Sequence, residues 1–281
     1  MQVFETPQPI RAIVAVAGGD VRVTAGERAD TTVDVRPADA GNREDVQAAE
    51  RTRVEYADGQ LIVKSSKLRA WTTRGQGGAI EVAVELPAGS DLDAAGALAD
   101  LTTVGPLGEC RVKTGLGQVR IDSAERLQLK SGAGDVDVGR VAGHAEISTG
   151  SGDVRVTELA GTGVIKNSNG DTWVGTAHGE LRLHGANGAL AVARAEAGVV
   201  AKAANGDVRA DDVARGTVVL ETKVGDVEVG IREGATAWLD ANAAAGRVHN
   251  ALTPADAPGP AAEKVEVRAR TTLGNVLVRR S

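Results

Sequence analysis

The sequence predicts an all-β chain wound as a parallel β-solenoid of roughly 18 residues per coil. Three observations predict it. Glycine recurs at a fixed period, apolar residues fall in columns at that period, and aromatics make up only 2% of a chain that is 42% hydrophobic. A core without large rings is built from Val, Ala, Leu and Ile, which suits thin repeated layers.

The period is set by Gly-Asp-Val and its variants. Gly134, Gly152, Gly170, Gly188 and Gly206 are spaced by 18, after which the interval stretches to 19, 21 and 28 at Gly225, Gly246 and Gly274. Gly108 and Gly117 are nine apart, and Gly134, Gly143, Gly152, Gly161, Gly170, Gly179 and Gly188 lie on a nine-residue grid, so each unit holds two turn-plus-strand halves. Glycine closes tight turns at backbone angles that other residues resist. Asn167, Asn169, Asn187 and Asn205 are expected in the same turns, since asparagine tolerates the left-handed region.

Alternation fixes the faces of each strand. One inward column runs through Val119, Val136, Val154, Thr172, Leu190, Val208, Val227, Val248 and Val276. The opposite wall runs through Leu129, Ile147, Ile165, Leu183, Ala201 and Leu220, and a corner column through Val141, Leu159, Ala177, Ala195 and Val213. Stacking equivalent positions at about 4.8 Å buries what one coil alone leaves open. An antiparallel meander with Asn-Gly hairpins is the runner-up fold, but it has no need of so strict a period.

Residues 1–100 form an irregular β-rich part that caps or begins the stack, and residues 101–281 form the regular solenoid. In the first part, 11–16, 20–24, 31–35, 54–56, 61–64 and 79–86 read as strands. Asp58-Gly59 reads as a hairpin turn, 43–51 as one or two helical turns, and 66–78 as a loop. The Pro/Ala segment 251–263 reads as a loop within the last coil, which 265–270 and 275–278 complete. Trp238 falls near an inward column and plugs the end of the stack.

The side chains carry little chemistry. Asp135, Asp153, Asp171, Asp207 and Asp226 form a column about one strand spacing apart. Stacked carboxylates repel unless they splay, bond turn amides or hold a cation, so calcium is the cofactor to consider. The calcium β-roll has a second glycine upstream that this sequence lacks, and turn capping is the plainer role. Cys110 alternates with Val112 and reads as a small buried hydrophobe. His144, His178, His184 and His249 form no metal pattern, although His184 shares a column with Lys166 and Lys202. Ser151 has no Gly-x-Ser-x-Gly elbow. A carbohydrate-active enzyme on the solenoid wall wants paired carboxylates with a basic partner. The outward residues Asp137, Arg155, Trp173, Ala191, Arg209 and Glu228 make no such cluster. No catalytic residue is assigned.

The net charge of −6 and the scattered arginines speak against nucleic acid. No stretch is apolar enough to enter a bilayer, and the start has no leader pattern, so the expected location is cytoplasmic. Trp71 and the outward-facing Trp173 are the candidate anchors for a protein partner.

Several segments carry a resemblance: TPQPIRAIVAVAGGDVRVTAGERADTTVDVRP, ERTRVEYADGQLIVK, the run KTGLGQVRI, KSGAGDVDV, STGSGDVRV, KNSNGDTWVG, AANGDVRA, and the closing VRARTTLGNVLVRRS. Together they resemble the bacterial putative-adhesin family, the toastrack domain of β-strand-repeat proteins. The resemblance implies an all-β repeat of unknown function with links to envelope-stress systems, and it brings no catalytic or binding residues. The expected function is therefore a noncatalytic structural or protein-binding scaffold. The alternatives are a self-assembling solenoid (oligomer or filament), a solenoid-wall enzyme and a calcium-binding β-roll.

Overall fold

The computed structural model describes residues 1–65, 78–252 and 263–281. Trp71, most of the 66–78 loop and residues 253–262 of the 251–263 loop lie outside them. The chain divides into two compact units, Met1–Ala142 and Gly143–Ser281. Both are parallel β-solenoid, as the glycine period and the inward columns require.

The amino-terminal unit comprises β1 (Gln2–Glu5), β2 (Arg11–Gly26), β3 (Asp30–Pro37), α1 (Arg43–Glu50), β4 (Arg53–Ala57), β5 (Gln60–Lys64), β6 (Ile80–Pro87), β7 (Asp91–Leu116), β8 (Val119–Ala133) and β9 (Val136–Val141). The segments 11–16 and 20–24 are halves of one strand, β2, which turns a corner at Gly18 and Gly19. Gly19 has φ 117°, and a Cβ there would stand 1.9 Å from the Ile80 carbonyl oxygen. Ala12, Val14, Val21 and Val23 face the core.

The first coil is not the outermost. β2 lies between β5 and β6 on one side and β7 on the other, parallel to all three. Beyond β5 and β6 the parallel order stops. β3 runs antiparallel on β6, β1 antiparallel on β3, and β4 antiparallel on β5 through the Asp58-Gly59 turn. Both turn residues have positive φ, 50° and 73°, as a two-residue hairpin of this type needs. Asn42 caps α1 by accepting the Glu44 N–H at 2.9 Å. Buried Asp45 accepts N–H groups from Asp39 at 3.1 Å and Ala79 at 2.9 Å, fastening α1 to the end of the stack. Phe4 and Tyr56 meet with ring centroids 5.4 Å apart.

The carboxy-terminal unit comprises β10 (Ala145–Ser151), β11 (Val154–Leu159), β12 (Gly163–Asn169), β13 (Thr172–Ala177), β14 (Leu181–Asn187), β15 (Leu190–Ala195), β16 (Val199–Asn205), β17 (Val208–Val213), β18 (Gly216–Val224), β19 (Val227–Ile231), β20 (Thr236–Ala245), β21 (Val248–Asn250), β22 (Lys264–Leu273) and β23 (Val276–Arg280). Each coil is two strands and two turns. The columns stack as the period requires, with Val154 beside Thr172, Thr172 beside Leu190, and Leu190 beside Val208. The corner residues Leu159, Ala177, Ala195 and Val213 end the first strand of each coil and point into the core. Gly188 has φ 127°, and a Cβ there would stand 2.1 Å from the Gly170 carbonyl oxygen.

Three expectations are corrected here. Residues 264–273 and 276–280 do not complete the coil that precedes the Pro/Ala segment. They make a whole coil of their own, β22 with β23, seated between β18/β19 and β20/β21. The long 28-residue interval before Gly274 reflects this return. Trp238 is not a plug, because Ala237 and Leu239 take the inward positions and Trp238 is 58% exposed. Finally, the asparagines do not take left-handed backbone: among the described residues, Asp58 is the only non-glycine with positive φ. Asn167, Asn169, Asn187 and Asn205 lie within strands, where their amides bond the neighbouring coil.

Candidate functional site

A polar concavity lies on the amino-terminal unit, where antiparallel β3 extends the face made by β6, β2 and β7. Register sets Arg36, Glu81, Asp20 and Asp100 side by side, and Asp34, Ala83, Arg22 and Thr102 in the next row. Ala83 is small, so a shallow hollow of about 480 Å³ opens among them. Arg36 bonds Asp34 at 2.6 Å, and Asp34 also holds the terminal amine of Met1 at 3.3 Å. Asp100 accepts the Gln118 N–H at 2.7 Å. Sequence reasoning missed this hollow because its rows form only when β3 pairs with β6, more than 40 residues later in the chain.

The aspartate column is a hydrogen-bond ladder. Asp153 accepts the Asp171 N–H, Asp171 the Ala189 N–H and Asp207 the Asp226 N–H, each at 2.8 Å. Asp226 accepts the Asn275 N–H at 2.7 Å, and the Asn275 side chain accepts the Arg247 N–H at 3.1 Å. Asp135 occupies the same turn position in the amino-terminal unit. One oxygen of each bonded carboxylate is thus committed to an amide in the next coil. Calcium takes six to eight oxygens, and among the described residues no three His, Cys, Asp or Glu side chains converge as metal ligands would. The donor set of this column does not fit that ion.

A second ladder runs beside it. Asn169 donates to the Gly150 carbonyl at 3.1 Å, Asn187 to Asn169 at 2.9 Å, and Asn205 to Asn187 at 2.9 Å. Asn167 turns inward instead and donates to the Gly152 and Gly170 carbonyls at 3.0 Å.

Trp173 faces outward, as alternation predicts, and is half-buried. The Arg155 guanidinium stacks over its ring at 4.3 Å, and the indole lies across Gly175. Its neighbour on the next coil is Ala191. Trp71, the other candidate anchor, lies outside the described residues.

Against this geometry, comparison with known proteins gives one decisive match, a family model covering residues 11–278. The chain belongs to the Toastrack DUF4097 family. The Toastrack chain is also similar to a solved putative adhesin from Bacteroides fragilis, at 13% identity and TM-score 0.36 over 99% of this chain and 95% of that one. A putative cell adhesion protein from Clostridium sporogenes matches at 9% identity and TM-score 0.22, over 100% of this chain and 98% of that one. No curated protein matches it.

Two carboxylates of the Toastrack chain do converge on a cation. Arg232 reaches Glu196 at 2.9 and 3.0 Å and Asp212 at 2.6 Å, and Ser281 Oγ lies 3.1 Å from Asp212. Hydrogen bonds from Arg232 hold both carboxyls below their usual range and raise the guanidinium. Neither acid has a proton to give near neutral pH. Cys110 lies wholly buried beside Leu127, and burial pushes its thiol up to about 12. His144 bonds Thr162 at 2.8 Å, and His178 lies 3.7 Å from Glu158. His184 stands between Lys166 and Lys202 on adjacent strands. Partial burial, and then Lys166, Lys202 and Arg182, depress its pKa.

Proposed function

We propose that this Toastrack chain is a noncatalytic binding scaffold and that the charged hollow of its amino-terminal unit is the face offered to a protein partner. The observation that carries this reading is the lining of the hollow. Asp20, Arg22, Arg36 and Glu81 are fixed on three adjacent paired strands. Such a surface presents charges of both signs at set spacings without rearranging, which favours specificity over raw affinity. An envelope-stress system is the setting proposed for that partner, from the family resemblance of the sequence.

The test is affinity capture with wild type, Arg22→Glu and Glu81→Arg, followed by calorimetry with the partner recovered. Loss of binding in either variant, with the melting curve unchanged, supports the reading. Glycan turnover that Asp20→Asn or Glu81→Gln abolishes would replace it with the enzyme alternative. A second reading, self-association, is favoured by one specific observation: the outer edge of β20 has no strand partner among the described residues.

A further inference from the structure

The stack in the carboxy-terminal unit ends on β20 and β21. Each has a parallel neighbour on one side, β22 or β23, and among the described residues none on the other. The consequence is visible in the columns. Val265, Val267, Ala269 and Thr271 of β22 are buried, whereas their register partners Ala237, Leu239, Ala241 and Ala243 of β20 are half-exposed. These are core positions lacking the layer that would cover them. Trp238 and Val248 stand 58% and 45% exposed on the same coil. A long flat edge of this kind is a template for another strand.

We propose that the covering layer is β20 of a second copy, giving a closed two-fold dimer; this rests on the self-association reading above. A two-fold axis across the edge makes the two strands antiparallel. With Ala241 on the axis, Leu239 faces Ala243, Ala237 faces Ala245, Trp238 faces Ala244, and Asp240 faces Asn242. Every large side chain then meets a small one, and no like charges stand directly opposite. Asp240 brings no unpaired charge, since Arg270 bonds it at 2.7 Å. Assembly stops at two. The amino-terminal unit ends its own stack in antiparallel β1, β3 and β4 and in α1, so among the described residues it offers no matching parallel edge for head-to-tail growth.

The experiment is light scattering behind size exclusion over a range of protein concentrations, with wild type and Trp238→Asp. A mass twice the 28.7 kDa chain that halves on dilution, and that Trp238→Asp returns to one chain with an unchanged circular dichroism melt, is the expected result. A single chain at every concentration overturns the proposal, and so does growth beyond two. Register is read separately by mild oxidation: Ala241→Cys links two chains, and Ala244→Cys alone does not. The reverse pattern overturns the pairing. Strong amide-exchange protection of β20 in a chain that stays monomeric would show the edge covered from within, and would also sink the dimer. None of these outcomes bears on partner binding at the Arg22 hollow.

Discussion

Arg232 grips Glu196 through both terminal guanidinium nitrogens, at 2.9 and 3.0 Å, from two coils further along the chain. The same guanidinium holds Asp212, while the Arg232 carbonyl accepts from Arg280 at 3.1 Å. The returning coil β22/β23 is therefore locked to β19 by its last residues.

This lock predicts a pH dependence. Glu196 and Asp212 have depressed folded-state pKa values, so the stability they add is present above their ordinary values of 4.5 and 3.8 and is lost as pH falls through the lower folded values. Arg232→Met should cost about 1 kcal/mol at neutral pH, discounted because these side chains are partly exposed. The gap from wild type should close in acid. Urea unfolding at several pH values measures it; a pH-independent gap would rule the ion pairs out as its source.

The stacked turns predict a steep glycine dependence. Gly206 has φ 138°, and a Cβ there would stand 2.0 Å from the Gly188 carbonyl oxygen. Gly206→Ala should destabilise by about 2–4 kcal/mol, from left-handed strain plus overpacking. Gly59 also has positive φ, 73°, but nothing lies within 4 Å of its Cβ position. Gly59→Ala should cost only about 1 kcal/mol. Equal costs in chemical denaturation would contradict the close-approach argument.

The aspartate ladder predicts a local, metal-independent contribution. Asp171→Ala leaves the Ala189 N–H without its acceptor and should lower stability by about 1 kcal/mol. Calcium or chelator should leave the melting temperature of wild type and variant unchanged. A calcium-dependent rise lost in Asp171→Ala would restore the cation reading.

Cys110 predicts a chemical readout of unfolding. Its thiol is buried and pushed up to about 12, so alkylation in native buffer should follow opening of the fold. Rapid native labelling would show that the β7–β8 layer is loose.

What the sequence made legible was whatever repeats. Val154, Thr172, Leu190 and Val208 announce their stacking because one spacing serves every coil, and the alternation that turns Trp173 outward is equally local. What it hid depends on pairings without a period. The hollow of Asp20, Arg22, Arg36 and Glu81 needs β3 antiparallel on β6. The bare edge at Ala237, Leu239 and Ala241 needs β22 to double back inside it, and the stretched intervals before Gly246 and Gly274 read equally well as a longer loop. Even the column of Lys166, His184 and Lys202 was visible as an alignment, but its electrostatic effect on His184 needed the side chains placed.

In both units the order of coils in space departs from their order along the chain. β2 is made before the β5/β6 layer and the β7 layer that enclose it, and β22/β23 are made after the β20/β21 layer that lies outside them. Growth by simple addition of each new coil to the last cannot produce this arrangement. During synthesis β20 and β21 must either wait unplaced or release the β18/β19 edge so that their successor can slide in. The finishing event of folding is then an insertion, which is slow to form because it needs a vacated slot, and slow to reverse because both faces of the inserted coil must let go together.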